Sequence, residues 1–143
     1  MTPETTYFRK GFGLKSDVEQ ELAADYTGHL VDLLRANDST LVVDDVTIRL
    51  AKEFGFCYGV ERAVEYAYQT RRKFPDRRIF LAGEIIHNPH VHDQLRSQSI
   101  RFLSDPEERH VQLGPGDVVI LPAFGVTIAE LQRFDATGCT LVD

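Results

Sequence analysis

Two hydrophobic patterns divide the chain. Val18, Leu22, Tyr26, Leu30, Leu33 and Leu34 recur at three- and four-residue steps, which predicts one amphipathic helix over 17–35. Ser16-Asp17-Val18-Glu19 has the spacing of a capping box at its start, and Asn37-Asp38-Ser39 predicts its end. The segment through Lys15 carries Phe8 and Phe12 but no period, and reads as an arm laid on another surface. From 46 onward strands and helices alternate. Val46 to Ala51 predicts a strand, and 59–74 a helix with Val60, Ala63, Val64, Ala67 and Tyr68 on one face. Arg78 to Ala82 is a short strand. Asn88-Pro89 is an N-cap followed by proline at the first helical position, opening a helix to about Gln98. Ile100 to Leu103 is a strand, and Val118 to Leu121, apolar throughout, suits a strand buried on both faces. Thr127 and Glu130 cap a helix to Asp135, Gly138 closes it, and Cys139 to Val142 is the last strand. Such alternation predicts an α/β fold over residues 46–143, a small and mainly parallel sheet flanked by helices, preceded by a helical N-terminal arm over 1–45.

Composition narrows the function classes without naming one. The 143 residues are 43% hydrophobic and 27% charged, the balance of a globular domain. No window approaches the ~18 apolar residues of a membrane span, and no apolar run follows a basic start as in a secretory leader. A net charge of −6 argues against coating a nucleic-acid backbone. Arg71-Arg72-Lys73 and Arg77-Arg78, gathered at one helix end, read as a solvated face with favourable dipole placement. Two cysteines make no disulfide framework, so a cytoplasmic location is expected, with neither a membrane nor a nucleic acid as partner.

Ligands of parallel α/β sheets sit beyond the carboxyl ends of the strands, which directs attention to Gly55–Gly59, Glu84–Pro89 and Pro122–Thr127. Cys57 lies in a turn between a strand and a helix with glycines two residues to either side. A helix N-terminus favours the thiolate that attacks electrophiles or binds metal. Three readings stay open at this point: a buried packing residue, a nucleophile with Arg62 as its oxyanion clamp, and a single ligand to an iron–sulfur cluster. The clamp reading has Cys-x4-Arg spacing, one residue shorter than the usual loop, with Glu61 adding a negative charge. His87 precedes the Asn88 cap, where an imidazole beside free helix N–H groups suits a diphosphate. His90 and His92, two apart on a helix, point in different directions and cannot easily share a zinc ion.

Together, Gly55-Phe56-Cys57-Tyr58-Gly59-Val60-Glu61-Arg62-Ala63-Val64, Gly83-Glu84-Ile85-Ile86-His87-Asn88-Pro89, Leu121-Pro122-Ala123-Phe124-Gly125-Val126 and Gly138-Cys139-Thr140-Leu141-Val142-Asp143 resemble the LytB-type 4-hydroxy-3-methylbut-2-enyl diphosphate reductases, in order and spacing. The arm with Arg9-Lys10-Gly11-Phe12-Gly13 resembles the longer plant and cyanobacterial branch. The resemblance implies a [4Fe–4S] cluster on three cysteines, an allylic diphosphate substrate, and an electron donor such as ferredoxin or flavodoxin. Cys57 matches the first cluster ligand and His87 a histidine that helps hold the diphosphate. Phe124 stands where many bacterial members carry a second histidine, as in the plant-like branch. The other cluster cysteines and the acid/base glutamate match nothing here, so no catalytic residue is expected within these residues. Cys139 falls on an ordinary strand position. The chain thus resembles the arm and the first of three similar domains. The alternatives are a non-catalytic binding module derived from that domain and a phosphatase-like enzyme using Cys57.

Overall fold

Ile79-Phe80-Leu81, the most enclosed strand, organises the molecule. The computed structural model describes residues 6–143, so the first five residues of the predicted arm lie outside the described residues. In chain order the elements are β1 (Tyr7–Phe8), α1 (Lys15–Tyr26), α2 (His29–Ala36), β2 (Thr40–Val43), β3 (Val46–Arg49), α3 (Tyr58–Lys73), β4 (Ile79–Leu81), α4 (Pro89–Ser97), β5 (Ile100–Phe102), β6 (Val118–Ile120), α5 (Ile128–Asp135) and β7 (Thr140–Val142). β4 pairs with β5 on one side and β6 on the other, β6 pairs with β7, and all these pairings are parallel. The sheet order is β1-β7-β6-β4-β5.

Alternation along β4 and β6 feeds two cores. Ile79, Leu81, Val118 and Ile120 face Val18 of α1, Val64 and Tyr68 of α3, and Val91 and Leu95 of α4. Phe80, Val119 and Leu141 turn the other way, toward Phe134 of α5. The continuous apolar runs of these strands follow from burial on both faces. The caps form as predicted for α4 and α5. Asn88 accepts from the His90 and Val91 N–H groups, and Thr127 and Glu130 bond reciprocally.

The N-terminal half departs from expectation. The predicted helix over 17–35 is two helices, because Thr27 and Gly28 are extended and α2 restarts with Val31 and Asp32 donating to Gly28 O. Only Val18 of α1 and Leu34 of α2 are fully buried, so the stripe read from spacing is not one continuous buried face. Ser16 does not cap α1. The helix begins at Lys15 with Leu14 as its N-cap and no side-chain bond there. Nor is the arm merely laid on the surface. Tyr7–Phe8 extends the sheet as β1, parallel to β7, and Phe12 N and Leu14 N donate to Gln69 Oε1, satisfying a buried amide on α3. Phe8, Phe12 and Phe74 then form an aromatic cluster with centroids 4.9–6.0 Å apart.

Val46 to Ala51 does not start the main sheet. Val46–Arg49 pairs antiparallel with Thr40–Val43 in a separate hairpin, turned at Asp44 with φ +51°. The arginines are also not a purely solvated face. Arg71 donates to the Gln98 and Ser99 carbonyls, Arg77 to those of Pro115, Gly116 and Asp117, and Arg78 grips the buried Asp117 carboxylate with two nitrogens. Turns leading into parallel strands leave carbonyls without sheet partners, and guanidinium forks supply donors to several at once.

Gly11 lets the arm approach α3. Its φ is +67°, and an added Cβ would stand 2.7 Å from the Tyr66 ring. Gly11→Ala is expected to cost about 1–3 kcal/mol and to speed amide exchange at Phe12 and Leu14. Gly116→Ala, in open space with an ordinary φ, should stay within about 0.5 kcal/mol in the same urea titration. Equal losses would remove the steric account.

Candidate functional site

The connections select one end of the sheet. After β4 the chain returns through α4 on one face toward β5, and after β6 it returns through α5 on the other face toward β7. Strand order therefore reverses between the neighbours β4 and β6, and a crevice opens there beyond their carboxyl ends. Its walls are 83–88 and 122–127, which touch at Gly83, where a Cβ would lie 3.4 Å from Pro122 Cγ.

His87 stands on one wall. Ile85 is fully buried below it, Asn88 N donates to Ile86 O, and the Asn88 side chain caps α4 immediately afterwards. These anchors hold a short turn from which the His87 side chain projects, 92% exposed, with Nδ1 in ion-pair contact with Glu84 Oε2. The other two histidines of this segment point elsewhere. His90 Nε2 bonds Asp25 O at 2.9 Å, and His92 Nε2 bonds Ile86 O at 2.8 Å while its ring lies 5.0 Å from Phe102. A shared metal is excluded for this pair by those orientations. Phe124, on the opposite wall, is 81% exposed.

Cys57 is the N-cap of α3, and its side chain is exposed. α3 joins β4 through a short connection at the strand's amino end, which puts the start of the helix at the opposite end of the sheet, with the crevice. Gly55, at φ +123°, makes the turn that a side chain would strain. Tyr26 links the two loops: its ring lies 5.6 Å from Phe56 and 5.7 Å from His90. Beneath it, the buried Tyr68 hydroxyl donates to Asp25 Oδ2 at 2.6 Å, and burial pushes the Tyr68 phenol well above its ordinary range. Spacing placed Tyr26 on an apolar stripe. Its bridging role was invisible because it depends on the break after α1. An open cleft of about 940 Å³ runs beside this bridge, between α1, Phe54–Phe56 and the start of α3.

Arg62 does not clamp the Cys57 loop. Its guanidinium donates to the Tyr58 and Tyr66 hydroxyls along α3, which removes the support for an oxyanion clamp. Cys139 is at the amino end of β7 in the core on the α5 side, donates to Phe134 O, and has a thiol pushed up by burial. It is remote in character from Cys57. Among the described residues no group of three or more His, Cys, Asp or Glu side chains could hold a metal ion, and no helix is long and apolar enough to cross a membrane.

With this geometry in view, the LytB protein family profile matches residues 48–143. The chain belongs to the LytB family. That span contains Cys57, the His87 turn and the Phe124 loop. Curated relatives extend the match into the arm. The 4-hydroxy-3-methylbut-2-enyl diphosphate reductases of Thermosynechococcus vestitus and Gloeobacter violaceus are 49% and 48% identical, over 96% of this chain. The chain spans only 35% and 34% of their lengths. A solved (E)-4-hydroxy-3-methyl-but-2-enyl diphosphate reductase, described as the terminal enzyme of the non-mevalonate pathway, overlays with a TM-score of 0.53 at 31% identity, over 65% of this chain and 31% of its own. The Plasmodium falciparum E-1-hydroxy-2-methyl-but-2-enyl-4-diphosphate reductase structure, at 23% identity and TM-score 0.52, shares the fold over 63% of this chain and 27% of its own. The expected α/β class, a mainly parallel sheet flanked by helices, is therefore the one observed.

The two LytB-member thiols should separate chemically. Ellman's reagent is expected to titrate one thiol per folded chain quickly and the second only after unfolding, with Cys57→Ser removing the fast phase. Two equally fast thiols in the folded chain would contradict the burial of Cys139.

Proposed function

We propose that these residues form the N-terminal part of a 4-hydroxy-3-methylbut-2-enyl diphosphate reductase. The complete protein would carry out reductive dehydroxylation of the allylic diphosphate to isopentenyl and dimethylallyl diphosphates. The observation that carries this reading is the placement of an exposed Cys57 at a helix N-terminus and an exposed His87 at the same end of one sheet. In the proposal Cys57 is one ligand of a [4Fe–4S] cluster, His87 contacts the substrate diphosphate, and a small electron-transfer protein such as ferredoxin or flavodoxin supplies electrons in the cytoplasm. Residues 46–143 act as the first of three similar α/β units, with 1–45 as an arm that adds a strand to its edge.

A cubane held by three cysteines does not fit the residues present. Cys57 offers one thiol, Cys139 is buried with its sulfur bonded to Phe134 O, and no other cysteine exists in the sequence. When bound, such a cluster supplies electrons and a Lewis-acidic iron. What these residues offer is narrower: an exposed thiol at the start of α3 and an exposed imidazole just before α4, with main-chain N–H groups at the starts of α4 and α5. Tyr58 and Ile128, 74% and 76% exposed at the starts of α3 and α5, support a surface that further protein covers in the complete enzyme.

The 143-residue chain, treated anaerobically with iron and sulfide, is expected to gain no stoichiometric cluster and no reductase activity. The complete gene product should gain both, and Cys57→Ser should reduce its activity to background. Full activity of that variant, measured with a chemically reduced donor dye, would defeat the assignment. A stoichiometric iron–sulfur absorbance on the short chain that Cys57→Ser abolishes would overturn its predicted inability to hold a cluster.

A further inference from the structure

Each histidine of the 87–92 segment commits one ring nitrogen to a protein oxygen, and the oxygens differ in kind. His90 and His92 donate through Nε2 to main-chain carbonyls, which ties the exposed His90 ring to α1 and the half-buried His92 ring to its own turn. His87 alone meets a carboxylate, and through Nδ1, which leaves Nε2 on the outward side of a ring that is 92% exposed. Glu84 Oε2 is shielded from water and has no hydrogen-bond partner of normal geometry among the described residues, so the His87 contact is the interaction available to it. The pair is built by the turn. Glu84 follows β4, Ile85 is pinned in the core, and the Asn88 cap fixes the backbone one residue beyond His87.

We propose that Glu84 is a positioning residue for His87: its carboxylate holds Nδ1–H and so presents Nε2 as the atom that meets a diphosphate oxygen. The inference rests on the proposed diphosphate role of His87. The hydrogen bond made by one ring nitrogen decides which state the other is in, and a carboxylate acceptor fixes both tautomer and ring plane. A neutral ring with its proton on Nδ1 has only a lone pair at Nε2, so the state that meets a diphosphate oxygen is the protonated ring, held at Nδ1 by Glu84 with its second N–H aimed outward. An unanchored imidazole on an exposed turn would rotate freely, and ordering it on binding would weaken the contact. The pair itself adds little stability, since one partner is almost wholly in solvent. Its effect is on orientation.

Two measurements separate the inference from the reading beneath it. Long-range 1H–15N correlation spectra of this chain, recorded where the rings are neutral, should show His87 protonated at Nδ1. Glu84→Ala should move that proton largely to Nε2, and Glu84→Gln should move it partway. The His92 ring reports on the fold, because its Nε2–H contact to Ile86 O lies inside the same turn and should not change. A His87 tautomer indifferent to both substitutions overturns the proposal. In the complete reductase, Glu84→Ala should raise KM for the allylic diphosphate about fivefold with little change in kcat, and should add nothing in a His87→Ala background. Additive effects would sink the positioning role while leaving His87 as a diphosphate contact. An unchanged KM in His87→Ala alone would remove the diphosphate reading itself, whatever the tautomer does.

Discussion

β4 is constrained on four sides, and the rest of the structure follows from that enclosure. Its backbone is paired to β5 and β6, while Ile79 and Leu81 enter one core and Phe80 the other. No freedom remains for the chain that leaves it. The segment after Leu81 must emerge between two strands, rise past Pro122 at Gly83, and sink Ile85 before α4 can begin. His87 is exposed because its neighbours are not. The same logic, reflected through the sheet, places Phe124 opposite, where the chain leaves β6 for a helix on the other face.

Much of this was legible from the sequence. The apolar run at Val118 to Leu121, the Asn88-Pro89 start and the Thr127–Glu130 box each encode a local rule that tertiary contacts reinforce, and the observed boundaries agree within a residue or two. The placement of Cys57 and His87 at helix starts was readable for a related reason: helix starts are punctuated by residue type. What could not be read was long-range. Tyr7–Phe8 becomes a strand only because β7 offers an edge, and two residues carry no period. Leu41-Val42-Val43 pairs across a tight turn as an outlying hairpin, where spacing cannot tell a separate sheet from the main one. Helices α1 and α2 share one stripe in sequence and not in space, because Gly28 resets the direction. Glu84 was visible inside a motif, yet its meeting with His87 required the turn that joins them.

The polar interior is also divided by function. At the amino ends of the strands, Arg71, Arg77 and Arg78 tie carbonyls and Asp117 into a fixed base. At the carboxyl ends the ionic partners are few, and side chains such as Cys57 and His87 face outward. Placing these arginine contacts at one pole leaves the loops at the other with few strong internal contacts to break.

The edge pairing of β1 with β7 bears on how such a chain is made. The Tyr7 hydroxyl donates to Asp143, 136 positions away, and the paired backbones are almost as distant in sequence. A ribosome delivers Tyr7 first and β7 last among the described strands. Until β7 emerges the arm has no strand to join, and Phe8 and Phe12 can reach only α3 and Phe74. Closure of the sheet edge thus follows the emergence of every other described strand, and a contact of such high sequence separation forms slowly. Until then the α1–α3 packing must carry the young protein unaided. The arm becomes a strand only when the last of its neighbours arrives.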